Sequence, residues 1–200
     1  MDVLTSSIFQ VIVFSTIPFV WWLITARKRE NFFVWIGLKK PIIKGSIRKF
    51  FLSIFLVLVS YSVIMTILMT LLLKDTETAT TQFAGQGWSA LVPILIYAII
   101  QTGLSEEILF RGFIGKRFIH YFGFTIGNTI QAILFGLLHG LPFGFVTGKW
   151  LVTIAFTLVP GAIGWMEGWI NEKHASGSII PSWGMHAVIN ILSALSLAFF

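Results

Sequence analysis

The chain has 200 residues, 56% hydrophobic and 11% charged, with a mean hydropathy of +0.88 and a formal net charge of +6. Soluble domains carry about 25% charged residues, so a water-soluble globule is excluded. The cations sit beside apolar stretches, which also removes a nucleic-acid-binding module. With no cysteine there is no disulfide, no thiolate metal ligand and no cysteine nucleophile.

A helix crossing the hydrocarbon core needs about 20 mostly apolar residues, and lipid admits only helices or closed barrels. The apolar runs lack sustained period-two alternation, so the sequence predicts an all-α polytopic membrane bundle of about six spans in one membrane domain, residues 1–200. The N-terminus lacks the basic region and cleavage site of a signal peptide, and its first apolar stretch is expected to remain as a span. Span one is expected over Ile8–Thr25, thinned at Pro18, and span two over Phe50–Leu73. Lys74–Gly87 reads as an exposed polar loop. Span three, Ser89–Phe110, carries Glu106 and Glu107 near its end, and Arg111–Gly123 reads as a continuing interfacial helix. Span four is expected over Phe124–Leu141, followed by a break at Gly140, Pro142, Gly144 and Gly148. Span five covers Trp150–Ile170, Asn171–Ser182 reads as a loop ending at Pro181, and span six covers Trp183–Phe199.

Lys and Arg counts orient these spans. The Arg27–Lys49 loop and Arg111–Arg117 go inside with Lys173; Lys74 and Lys149 go outside with both termini. A multi-pass protein of the cell membrane follows, with the lipid bilayer as its first partner. No internal repeat supports a transporter architecture.

Ionisable side chains at membrane depth are costly and mark functional sites. Glu107 and Arg111 are four residues apart, share a helical face and can pair. Glu106 lies five residues before Arg111, about 140° around a 3.6-residue helix, so its carboxylate is expected to point elsewhere and do chemistry. Phe135 and His139 share a face of span four, and His186 and Asn190 share a face of span six. Converged on one pocket, these groups suit peptide hydrolysis. Glu106 would take a proton from water with help from His139, while His186 and Asn190 would stabilise the oxyanion. Glu106, His139 and His186 would equally suit a zinc ion, although the compact H-E-x-x-H spacing is missing. Asn128, Gln131 and the glycines Gly161, Gly164 and Gly168 read as helix-packing residues. Gln101 reads as cavity lining or packing, and Glu167 as a partner for Lys173. His120 and His174 read as headgroup-facing.

The ordered set Glu106-Glu107-x-x-x-Arg111, Phe135-x-x-x-His139 and His186-x-x-x-Asn190 resembles the CPBP intramembrane protease family, also called the CAAX-protease and bacteriocin-processing or Abi family. The run Gly177–Pro181 before span six adds to the likeness, which covers roughly Pro93 to Leu195; the corresponding core is taken as residues 89–199. The resemblance implies a polytopic helical protease, glutamate-type or metallo-endopeptidase, acting on peptides or protein tails at the membrane. In it the match of Glu106 activates water with the match of His139, and the matches of His186 and Asn190 form the oxyanion site. Glu107, Arg111 and Phe135 are supporting residues. Eukaryotic members trim prenylated CAAX proteins, and bacterial relatives are linked to peptide processing and bacteriocin self-immunity. The competing readings are a non-catalytic immunity or scaffold protein and, last, a small transporter. Substrate, metal dependence and oligomeric state are open at this stage.

Overall fold

The computed structural model describes residues 2–73 and 76–200; Met1, Lys74 and Asp75 lie outside the described residues. All regular elements among them are helical. The order is α1 (Val3–Thr25), α2 (Phe32–Trp35), α3 (Ile47–Leu72), α4 (Leu91–Ile96), α5 (Ser105–Glu107), α6 (Lys116–Thr147), α7 (Trp150–Trp169) and α8 (Ile180–Phe199). The Asp2 carboxylate caps α1 by accepting from the Thr5 N–H at 2.7 Å, which holds Asp2 below the usual carboxylate range. Along α3 large apolar side chains such as Phe51, Phe55, Leu56 and Val63 are exposed. That surface is unfavourable in water and neutral against lipid tails.

Among the described residues five helices are long and apolar enough to cross a membrane, against the six spans expected. The difference lies in spans three and four, which belong to one helical run, Gly87–Thr147, of 61 residues. At 1.5 Å per residue a straight run of that length would measure about 90 Å, roughly three times the hydrocarbon core. It is not straight. Gly123 adopts φ 78° and ψ 168°, outside the helical region. Four residues on, Gly127 packs so close to the Phe118 and Ile119 backbone that a Cβ there would collide with it. The chain thus doubles back at Gly123, where only glycine adopts the required angles easily.

Other boundaries move for identifiable reasons. α6 runs through Pro142 to Thr147 and stops at Gly148, which takes the left-handed φ of 64°. Pro181 does not close a loop but sits in the first turn of α8, where its missing N–H costs nothing. The loop expected over 74–87 is not wholly exposed: Phe83 is buried, and the Gly85 N–H donates to Leu197 O at 3.1 Å.

The chain divides into two compact units, each made from non-contiguous segments. The first comprises Met1–Pro41, Glu77–Phe113 and Ser178–Phe200. One apolar core there gathers Phe83, Ile94, Tyr97, Ala194 and Ala198, and a second gathers Trp35, Ile36, Ile108 and Ile179. The second unit comprises Ile42–Thr76 and Ile114–Gly177. In it α6 and α7 approach closely because Gly136 faces the backbone of Thr157 and Gly161. Asn128 donates to Trp165 O and Gln131 to Gly164 O, both at 2.9 Å, so both amides bridge the two helices as expected of packing residues.

Candidate active site

The acidic pair stands on a distorted helix. Ser105–Glu107 is flanked by two π-helical stretches, Tyr97–Leu104 and Ile108–Gly115. π-Turns close over five residues rather than four and concentrate at functional sites. They change which side chains share a face, and this alters the expectation for Glu107.

Glu107 is fully buried and held from several sides. Arg111 Nη1 lies 3.0 Å from Glu107 Oε1, Ser182 Oγ donates to Oε2, and His186 Nδ1 lies 3.2 Å from Oε1. Glu107 reaches the same histidine as Glu106, which a regular helical phase would not give. Glu106 Oε2 lies 3.8 Å from His186 Nε2, so the two acids bracket one imidazole, each at its own ring nitrogen. The 3.2 Å contact is a hydrogen bond and the 3.8 Å contact is not. Glu107 therefore sets the ring's position, and the ring does not hold Glu106 in the same way. Glu106, Glu107, Arg111 and His186 are all buried, with 0% of Glu107 and 8% of Glu106 exposed.

One turn beyond His186, Asn190 Nδ2 donates to Thr102 Oγ1 at 2.7 Å. Thr102 itself donates to Tyr97 O at 3.3 Å, five residues back, a π-turn partner. Its hydrogen is thereby committed and its lone pair faces the amide. Asn190 has a second amide hydrogen and a carbonyl oxygen beyond this bond. Trp183 Nε1 donates to Ile99 O at 2.7 Å and packs on Gly103, where a Cβ would lie 3.3 Å from the indole. α8 is thus zipped to the acid-bearing helix by Ser182, Trp183, His186 and Asn190 in succession. On another face of that helix Gln10 of α1 donates to Ser105 Oγ at 3.1 Å, and Ser7 and Gln10 both contact Gln101. Gln101 is therefore part of a polar ladder to α1.

Sequence reasoning missed Thr102, Ser182 and Gln10. Thr102 is four residues before Glu106 and Ser182 four before His186, so helical spacing from the charged residues carried the signal. Hydroxyls are common enough in membrane helices to hide it.

His139 and Phe135 belong to the second unit. Their rings lie 4.5 Å apart, and His139 Nδ1 is 2.9 Å from Phe135 O. A carbonyl only accepts, so Nδ1 carries the hydrogen, and in the neutral ring Nε2 keeps a lone pair. Glu172, adjacent to Lys173, pairs with Lys116 at 2.7 Å, while the Lys173 ammonium lies over the Phe124 ring at 4.4 Å. Glu167 is buried in α7. His174 is half-buried against Trp169, at 4.2 Å between rings, and His120 is exposed beside Tyr121.

Among the described residues no group of three or more His, Cys, Asp or Glu side chains is gathered to hold a metal ion. In the first unit the donor set is ill suited to one: the Arg111 guanidinium already lies against Glu107, and both nitrogens of His186 face carboxylates.

No curated protein and no solved structure matches the chain significantly. The family profile described as "Type II CAAX prenyl endopeptidase Rce1-like" matches residues 88–192, more than half of the 200 residues. That interval spans both acids, Arg111, Phe135, His139, His186 and Asn190. By this match the chain belongs to the Rce1-like family of type II CAAX prenyl endopeptidases, a family of membrane-embedded proteases.

Proposed function

We propose that the protein is a multi-pass endopeptidase of the cell membrane that hydrolyses peptide bonds in membrane-associated peptides or protein C-terminal tails, with a water activated by Glu106. The observation that carries this reading is the buried pair Glu106 and Glu107 bracketing His186, one acid at each ring nitrogen, with Arg111 against Glu107. Burying such charges is costly unless they are used.

In this mechanism Glu106 accepts a proton from water as the oxygen attacks the scissile carbonyl carbon. His139, whose Nε2 carries the lone pair, assists as a second base. The carbonyl electrons move onto oxygen. In its imidazolium form His186 carries a hydrogen on Nε2 as well as on the Nδ1 that donates to Glu107, and this Nε2–H and the second amide hydrogen of Asn190 donate to that oxyanion. Collapse of the intermediate re-forms the carbonyl and breaks the carbon–nitrogen bond, and the proton on Glu106 passes to the departing amine. Glu107, Arg111 and Ser182 do not touch the reacting atoms; they fix the imidazole. No step passes through a metal. Peptide processing or bacteriocin self-immunity is the biological setting such an activity would serve.

The test is cleavage of synthetic peptides that end in a C-terminal tail, with and without a prenyl group, by the full chain in detergent micelles. A general base contributes roughly 10²–10⁴-fold, so Glu106→Ala is expected to remove activity to that extent while leaving the fold intact. Undiminished cleavage by this variant would remove Glu106 from the mechanism. A wild type and a variant that are equally inactive on all tails, yet equally able to confer a cellular phenotype, would favour the non-catalytic reading.

A further inference from the structure

Within the second unit a cavity of about 320 Å³ opens beside the start of α3, and its lining includes Lys44, Ser46, Lys49, Phe50, Trp169 and His174. Small-ligand pockets begin at about this volume. The walls are built rather than accidental. The Lys44 N–H donates to His174 O at 2.9 Å, and Ser176 Oγ donates to Ile42 O at 3.1 Å, so the segment before α3 is stitched to the end of the π-turn Ile170–His174. Gly45 turns the chain with φ 85°, and Ser46 caps α3. Trp169 is set edge-on to His174 and, with Phe50 and Ile170, gives an apolar floor.

The chemistry of the lining is one-sided. Two lysines and a histidine line the cavity, and none of its described lining residues is acidic. The nearest acid on the same π-turn, Glu172, is occupied by Lys116 at 2.7 Å. Arg48 adds a further cation on the first turn of α3. The Lys/Arg distribution assigns this loop to the cytoplasmic side, where anionic lipids supply a negative surface and basic pockets between helices take lipid headgroups.

We propose that this cavity binds an anionic phospholipid, its phosphate held by Lys44 and Lys49 and the first part of its acyl region lying on Phe50 and Trp169. The apolar floor is what a soluble phosphate could not use. This site is separate from the acid pair and does not depend on the peptidase reading.

The experiment uses the full chain in a neutral detergent. Phosphatidylglycerol, phosphatidylcholine or inorganic phosphate is titrated in, and the thermal midpoint and the lipids retained in native mass spectra are recorded. Phosphatidylglycerol is expected to raise the midpoint and to remain as one lipid per chain. Near a membrane surface each lysine strengthens anionic binding roughly fivefold, so Lys44→Gln with Lys49→Gln should weaken the apparent affinity roughly twenty-five-fold. Lys149→Gln, an exposed lysine outside the cavity, should change nothing. Ser53→Phe, which fills the floor without altering charge, should also abolish retention, and serves if the double variant does not fold. Equal retention by both variants overturns the proposal. So does equal stabilisation by phosphatidylcholine, or by inorganic phosphate alone, which would assign the cavity to a soluble anion.

Discussion

Replacing Arg111 by methionine tests whether the Glu107 carboxylate is held by charge. Methionine supplies a similar length of apolar stem but leaves Glu107, 0% exposed, without the guanidinium 3.0 Å away. Removing one partner of a buried pair costs about 3–5 kcal/mol, because the other charge remains desolvated. Chains of this length lose about 2–4 °C of thermal midpoint per kcal/mol, so Arg111→Met should fall by roughly 10 °C. Glu107→Gln alone leaves the cation buried and should cost a similar amount. The double variant removes both charges, and the carbonyl oxygen of the introduced amide still accepts from Ser182, so most of the loss should return. The assay is thermal unfolding of all four proteins in detergent, followed by tryptophan fluorescence, with the coupling energy taken from the cycle. With each single variant down by about 3–5 kcal/mol and most of that loss returned in the double, the coupling should be at least about 4 kcal/mol. Additive losses, or singles within about 1 kcal/mol of wild type (the size of a surface pair), would refute the claim that the pair is buried and interdependent.

Asn190→Ala should lower kcat about 10²–10³-fold with little change in KM, the signature of a lost oxyanion donor; Thr102→Val should give a smaller loss of the same kind by releasing the Asn190 amide it orients, and a pure KM effect in both would remove that role. Gly103→Ala places a methyl against the Ala98 carbonyl oxygen as well as 3.3 Å from the Trp183 indole and should cost about 1–3 kcal/mol by overpacking, read as a lower midpoint; an unchanged midpoint would mean that this turn is not packed as closely as the geometry has it. Cleavage is expected to survive a chelator, since Glu107 and His186 are committed to protein partners; loss of activity that zinc restores would overturn a mechanism without metal.

How much was legible in the sequence depends on the length scale of the signal. Span positions follow from composition over about 20 residues, and α1, α3, α7 and α8 stand close to their expected places. Boundaries that hinge on one residue were less legible. Pro142 reads as a breaker but lies inside α6, because a membrane helix tolerates a missing hydrogen bond better than an end in lipid. Gly123 reads as an ordinary helix end but is where a 61-residue run doubles back. At the site, the Glu107–Arg111 pair was readable because four residues span one turn in α-helical and mildly widened helices alike. The approach of Glu107 to His186 was not. A 3.6-residue phase assumes an undistorted helix, and no pattern in residues 97–115 announces two π-helical stretches. The partners Ser182 and Thr102 were invisible for another reason. A hydroxyl carries no cost in a membrane helix, where it can bond its own backbone, so its presence does not ask for an explanation as a charge does.

The consequence reaches the logic of the acid pair. Helical phase would divide Glu106 from Glu107 by direction, one toward Arg111 and one toward the histidines. The structure divides them by partner instead. Both face His186, but Glu107 is bound by a guanidinium, a hydroxyl and the ring's Nδ1, whereas Glu106 stands 3.8 Å from Nε2. Two equivalent carboxylates so close to one imidazole would compete for it, and either could swing in. Arg111 and Ser182 remove that ambiguity by fixing Glu107, which fixes the ring, which in turn fixes where Nε2 and Glu106 can meet a substrate carbonyl. On this view Glu107→Gln should reduce cleavage by displacing the ring even where folding is rescued by Arg111→Met. Activity restored in the double variant along with stability would show instead that Glu107 serves the fold alone.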